Sequence, residues 1–234
     1  MHQVFLFPFI NQTIKLYKVR RFEKIKPNKL PQEDKLLGGV KMNEKTSKLI
    51  KISLLSAIAI ILMYLDFPII PAFSWLKIDL SDVPALVGAF GFGPIAGVII
   101  ELIKNLLIPL IRGSQTGFVG ETANFLFGAS LILPASFIYY RNKSKKNAIL
   151  GMIIGGVVME IMGIVGNIYL LLPAYGMKMP ADMLQSYIWA LLAFNGVKAI
   201  MVSVLTYILY KKVSVSIFKA EPNFGGSGKK TKTV

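Results

Sequence analysis

From Lys77 to Leu133 the chain is almost continuously apolar, yet Asp79, Asp82, Glu101, Lys104, Asn105, Glu121 and Asn124 sit inside that stretch. An ionisable side chain at membrane depth costs about 2.5–3.5 kcal/mol on insertion scales, and such groups line a site or pair with one another. A chain of this pattern folds as a helical body in lipid with a polar path through it. That combination points to binding or transport of a small polar molecule.

Composition agrees with a membrane body. Of 234 residues 54% are hydrophobic and 17% charged, whereas a soluble domain carries nearer a quarter charged residues. Spans of ~20 residues leave room for five to seven helices. The apolar runs do not alternate, which excludes a transmembrane barrel. The absence of cysteine removes disulfides, thiolate chemistry and Cys-ligated metals, and the lone histidine, His2, excludes a His-based triad or zinc site. No metal is expected. The formal charge of +15 is spread in a way that argues against nucleic acid. Residues 1–41 hold nine Lys/Arg against three Asp/Glu, and most of the rest flank apolar spans, which is the positive-inside pattern.

Residues 1–41 read as a disordered basic leader. Met42-Asn-Glu-Lys-Thr-Ser-Lys resembles a bacterial start just ahead of a first helix, so translation is expected to begin at Met42. Residues 42–212 form the membrane domain, and 213–234 a cytoplasmic tail, largely disordered from about 221. Six helices are expected, at about 46–65, 82–91, 94–109, 119–140, 147–171 and 183–210. Ser81 or Asp82 can cap the second, and Pro84 is tolerated in its first turn. The expected fold is an all-α, six-helix integral membrane bundle. Lys45, Lys48, Lys51, Arg141, Lys143, Lys145, Lys146, Lys211 and Lys212 gather on one side, against Lys77, Arg112 and Lys178 on the other. The basic side is expected to be cytoplasmic and to hold both termini, which turns the Trp75, Gln115 and Tyr175 loops outward.

Asn195 and Lys198 lie three apart on one helical face, with Tyr187 and Leu191 above them. Lys198 is too far from the basic end of its helix to snorkel, so it contacts a ligand, pairs with Glu101, Glu121 or Glu160, or does both. Glu160, Gly163 and Asn167 share a stripe on the fifth helix. A carboxamide donates and accepts at once, as a heterocyclic amide edge requires; the competing reading of an intramembrane Asn is interhelical packing. Glu101 and Lys104 at i,i+3 read first as a structural pair. Glu121 and Asn124 divide evenly between structure and site. Trp75, Phe73 and Tyr175 either cover a pocket or anchor the chain at the interface. Ser53 and Ala57 form a small-xxx-small face on the first helix, either for internal packing or for docking another membrane subunit. The tail Gly225-Gly-Ser-Gly-Lys-Lys-Thr fails as a phosphate loop, since Lys230 stands where Ser or Thr must follow the lysine. The chain carries no ATPase of its own.

Lys77-Ile-Asp-Leu-Ser-Asp-Val-Pro-Ala-Leu-Val-Gly-Ala-Phe90, then Gly93-Pro-Ile-Ala-Gly-Val-Ile-Ile-Glu-Leu-Ile-Lys-Asn105, Gly120-Glu-Thr-Ala-Asn-Phe125 and Asn195-xx-Lys198 together resemble the riboflavin-binding S components of energy-coupling factor (ECF) vitamin transporters. The resemblance spans about Met42 to Lys212. It implies a substrate-capture subunit of the bacterial plasma membrane that is not an enzyme and needs no cofactor. It also implies riboflavin as transported ligand, and as partners a transmembrane coupling subunit and two cytoplasmic ATPases. The family's pocket asparagines match Asn167 and Asn195 and its lysine matches Lys198. Its Ala-xxx-Ala docking pattern matches Ser53 and Ala57, with serine in the first position. Trp75, Tyr175, Glu121 and Asn124 complete the expected substrate-binding set. An S component for another vitamin or precursor is the nearest rival, and an intramembrane enzyme using Glu101 and Glu121 as an acid–base pair is the rival of another class.

Overall fold

Apolar stretches of 18 residues and more can satisfy their backbone only as helices in lipid, and helices dominate the fold. It is described by a computed structural model over residues 43–218, with side chains through Tyr210. The expectations for the 1–41 leader, the start at Met42 and the tail from 221 lie outside the described residues. The helices are α1 (Glu44–Tyr64), α2 (Asp82–Phe92), α3 (Pro94–Arg112), α4 (Val119–Arg141), α5 (Lys145–Gly166) and α6 (Ala181–Phe218). Beyond Gly166, α5 continues as a π-helical turn, Asn167–Leu171, and a last turn, Leu172–Ala174.

Five of these helices are long and apolar enough to cross a membrane; α2 is not one of them. Its 11 residues extend ~16 Å at 1.5 Å each, against a hydrocarbon core of ~30 Å. The second helix, expected at about 82–91, is too short to cross by itself. The segment before it does part of the work. That segment carries a two-residue antiparallel ribbon, β1 (Phe67–Pro68) with β2 (Lys77–Ile78), and a 3-10 turn at Pro71–Phe73, so the bundle is not helical throughout. Its end meets Lys198, midway along α6, so the loop descends into the bundle before α2 begins. Irregular backbone at such depth survives only when protein covers it. Phe73, Leu76, Ile78, Asp79 and Ser81 are all buried.

Every residue of α2 from Asp82 to Phe90 is buried, because α2 packs against α1, α3, α4 and α6 at once. The long helices surround it, α3 against α1 and α4, and α5 against α4 and α6. Gly93, at φ +111°, makes the reversal between α2 and α3, and Pro94 starts α3 where no donor is needed. Outward positions such as Leu54, Ile58, Leu106, Leu110, Ile153 and Ile200 are apolar and exposed, as a lipid-facing surface requires. One end of the bundle carries Lys143 over the Tyr140 ring, Lys145 over the Tyr207 ring, and a 3.0 Å hydroxyl contact between Tyr139 and Tyr210. The other end carries Asp66 paired with Arg112 at 2.6 Å.

Close approach of α4 and α5 rests on Gly151 and Gly155. A β-carbon at Gly151 would lie 2.5 Å from the Ala135 carbonyl oxygen, and one at Gly155 would fall on that of Leu131. Backbone cannot swing aside as a side chain does. Gly155→Leu is expected to lower stability by about 1–3 kcal/mol in a detergent thermal-unfolding measurement. Gly156→Ala, whose new carbon would sit 3.5 Å from the Ala199 β-carbon, serves as the tolerated neighbour. Equal midpoints for the two variants would remove helix contact as the reason for Gly155.

Candidate ligand-binding site

Two adjoining hollows lie near the Asp66–Arg112 end. The inner hollow, about 90 Å³, is bounded by Trp75 and Leu76 from the loop, by Asn124 and Phe127 from α4, and by Asn167, Tyr175, Asn195 and Lys198. The outer one, about 500 Å³, is a vestibule with Asp66, Lys77, Arg112, Thr116 and Glu121 on its walls. Trp75, Lys77, Gly120 and Asn124 border both. Sequence reasoning named Asn167, Asn195, Lys198, Trp75, Tyr175 and Asn124 as candidates, and the structure brings these six to one cavity. Glu121 lines only the vestibule.

The amides differ in what holds them. Asn167 Nδ2 donates to the Gly163 carbonyl at 2.7 Å, and Asn167 Oδ1 accepts from the Tyr187 hydroxyl at 2.8 Å. Tyr187 in turn accepts from Trp75 Nε1 at 3.2 Å, so a hydrogen-bond chain links the loop to α6 and α5. Phe73 packs on Tyr187 with ring centroids 4.8 Å apart; it belongs to the core under the loop and not to the cavity wall. The π-helical turn re-aims the chain after Asn167: the Leu172 N–H reaches the Asn167 carbonyl, one residue beyond an α-helical bond. Asn195 is held by shape. A β-carbon at Gly163 would fall on its amide, so only glycine leaves it room. Asn124 Oδ1 is buried without a hydrogen-bond partner, while the Asn195 amide stands beside the Glu160 carboxylate.

Lys198 sits at the cavity wall and belongs to a buried charge cluster. Its ammonium lies 3.3 Å from Asp79 and 3.1 Å from Asp82. Asp82 also pairs with Lys104, which lies 2.9 Å from Glu101 and donates to Ser81 Oγ at 2.7 Å. The expected partners of Lys198, Glu101, Glu121 or Glu160, are replaced by Asp79 and Asp82. Gly128 is the clearance for this cluster, since a β-carbon there would lie 2.5 Å from the Glu101 carboxylate. Glu101 is fully buried against Lys104 and touches neither hollow, so it cannot act with Glu121 on a common substrate.

Glu121 has a local role. Its Oε2 accepts from the Ser114 and Thr116 hydroxyls at 3.1 and 2.9 Å, while the same hydroxyl oxygens accept from the Phe118 and Gly120 N–H groups. The turn thereby caps α4, where Phe118 adopts a left-handed backbone. Tyr175 lies beyond the last helical turn of α5, and partial burial pushes its phenol up from the ordinary value. Ser53 and Ala57 are both exposed on α1, remote from these hollows.

Residues 47–210 match the family of ECF transporter substrate-specific components. The chain belongs to this family. The S component is 41% identical over 183 residues to the riboflavin transporter RibU of Staphylococcus aureus (strain TCH60), covering 76% of this chain and 96% of that one. It is 36% identical over 176 residues to the riboflavin transporter FmnP of Bacillus subtilis (strain 168), covering 72% and 93%. A solved structure described as the S component of a bacterial ECF transporter superposes with a TM-score of 0.66 at 40% identity, covering 76% of this chain and all of that one. The S component is a multi-pass bacterial plasma-membrane protein, a transporter subunit and not an enzyme.

The charge cluster generates a stability prediction. Breaking a buried pair by removing one member costs about 3–5 kcal/mol, because the remaining charge stays buried. Lys104→Met strands Glu101, leaves Asp82 with Lys198 alone, and is expected to fall in that range. Arg112→Ala, removing a partly exposed pair, is expected to cost at most about 1 kcal/mol. Thermal unfolding in detergent compares the two, and a Lys104→Met variant as stable as Arg112→Ala would overturn the reading.

Proposed function

We propose that this S component captures riboflavin from outside the cell and delivers it inward with a transmembrane coupling subunit and two cytoplasmic ATPases. The observation that carries the reading is the convergence of the Asn124, Asn167 and Asn195 amides and Lys198 on one cavity, with Asn124 Oδ1 buried and without a hydrogen-bond partner. An unpaired buried polar group costs about 1–3 kcal/mol, and a ligand donor at that point recovers it. Flavin chemistry suits the walls. The ring needs a flat apolar slot, which Phe127, Leu171 and Phe194 supply, and hydrogen-bond partners along its pyrimidine edge. The ribityl hydroxyls need further polar partners, and Asn124, Lys198 and the vestibule groups are within the same space. Ligand pockets commonly run to ~300–1,000 Å³, so a flavin occupies both the 90 Å³ hollow and part of the 500 Å³ vestibule, and Trp75 between them yields. The riboflavin assignments of the relatives point the same way.

The Lys143–Lys145 end is the cytoplasmic one by its excess of basic residues, and α1 starts and α6 ends on that side. The exposed Ser53 and Ala57 stripe on α1 is the docking face for the coupling subunit, since small residues let helix backbones approach closely.

Titrating purified protein with riboflavin is expected to quench flavin fluorescence stoichiometrically, with no competition from thiamine or biotin. Competition by either would move the assignment to another vitamin. Lys198→Ala is expected to weaken binding by about tenfold or more, ~1.4 kcal/mol; unchanged affinity would take the lysine out of the site. Ala57→Leu is expected to impair uptake by cells while the isolated subunit binds normally. Normal uptake would mean that α1 is not the docking face.

A further inference from the structure

A second large cavity lies on the lipid-facing side, between α5 and α6, with a volume of about 550 Å³. Its α5 wall is the stripe Ile149, Ile153, Val157 and Glu160; its α6 wall is Ile200, Val204 and Tyr207. Gly156, Gly196, Ala199 and Ser203 form a floor with almost no side chain, which is why two packed helices leave a groove there. From Ile149 to Glu160 the groove runs ~16 Å at 1.5 Å per residue, about half of a ~30 Å hydrocarbon core, or one leaflet. The two ends differ chemically. Lys145 and Lys146 stand one turn before Ile149, both exposed, with the Lys145 ammonium 5.4 Å from the centre of the Tyr207 ring. At the deep end Glu160 closes the groove, with one of its carboxylate oxygens buried.

We propose that this groove seats the acyl chains of one anionic phospholipid, with the headgroup phosphate held by Lys145 and Lys146. The cross-section selects the occupant. A volume of about 550 Å³ over ~16 Å leaves about 35 Å², whereas a helix 10–12 Å across needs about 80–110 Å². Extended hydrocarbon chains fit inside the groove, whereas a partner helix would seat only part of its girth there. Charge selects the headgroup, because two ammonium groups at the membrane surface attract an anionic lipid. The Tyr207 ring places an amphipathic edge at the boundary between chain and headgroup.

The test is native mass spectrometry of the full chain released from nanodiscs of phosphatidylglycerol mixed equally with phosphatidylethanolamine. One phosphatidylglycerol is expected to remain per protein. Gly156→Phe projects a ring into the groove and is expected to lower retention about tenfold; Ser203→Phe is the second filling variant should the first not fold. The double variant K145E/K146E is expected to reverse the headgroup preference by about tenfold or more. Riboflavin binding, which uses none of these residues, reports that each variant is folded. Lipid retention unchanged by both filling variants overturns the proposal, as does an unchanged headgroup preference in the double variant. Loss of assembly with the coupling subunit on filling, with lipid retention intact, overturns it in favour of a helix-docking face.

Discussion

Charge neutralisation inside the hydrocarbon region is the constraint on which the rest of this bundle depends. Asp79, Asp82, Glu101, Lys104 and Lys198 are all buried, and none would be stable there alone. They come from the descending loop, the start of α2, the middle of α3 and the middle of α6, so bringing them together fixes four segments relative to one another. The short α2 begins at Asp82, inside the bundle, because that carboxylate has to reach both lysines. The loop before it must then enter the body of the protein, and its apolar residues Phe73, Leu76 and Ile78 become core instead of surface. Lys198 joins this cluster to the cavity. Its ammonium is anchored on one side by two carboxylates and lines the inner hollow on the other.

A site formed this way is positioned by rigid elements and closed by an adaptable one. Asn195 and Lys198 ride on α6, Asn124 on α4 and Asn167 at the π-helical turn, each on a helix packed against its neighbours. Trp75 and Lys77 belong to the loop, held at its outer end by polar contacts: Lys77 to Gln115 at 3.2 Å and Trp75 to Tyr187 at 3.2 Å. The Lys77–Gln115 contact is exposed and contributes little, whereas the Trp75–Tyr187 bond is partly buried.

The long helices were legible because unbroken apolar runs have few solutions in lipid, and the structure moves their boundaries by only a few residues. The exception is α6, which runs on through the start of the expected tail to Phe218 where an end near 210 was expected. The pairing of Glu101 with Lys104 was legible for the same local reason, a spacing of three. The partners of Lys198 were not, because 119 residues separate it from Asp79 and no periodicity links them. A signal was nevertheless present: Asp79 and Asp82 had no basic residue at helical spacing, while Glu101 did. The two-residue ribbon is too short to leave a pattern. The π-helical turn did leave one in Pro173, which lacks the N–H of a regular α-helical bond, and whose effect on the preceding turn depends on packing. The gathering of Asn124, Asn167, Asn195, Trp75 and Tyr175 required the helix arrangement itself, since they come from four separate segments.

Orphaned polar atoms help to separate structure from function here, but only in combination with place. Asn105 Oδ1, Thr206 Oγ1 and Glu101 Oε1 are as unpartnered as Asn124 Oδ1. The first three line neither of the two hollows, whereas Asn124 borders both. Asn195 stands at the inner wall too, its amide beside the Glu160 carboxylate. The room for it is made by a glycine on the neighbouring helix, since any side chain at position 163 would displace the amide. If interhelical packing were the only demand on Asn195, a small apolar residue would meet it with less strain on Gly163. What the pair Gly163 and Asn195 adds over that simpler solution is a fixed amide at a cavity wall, which is what recognition of a planar, amide-edged ligand requires.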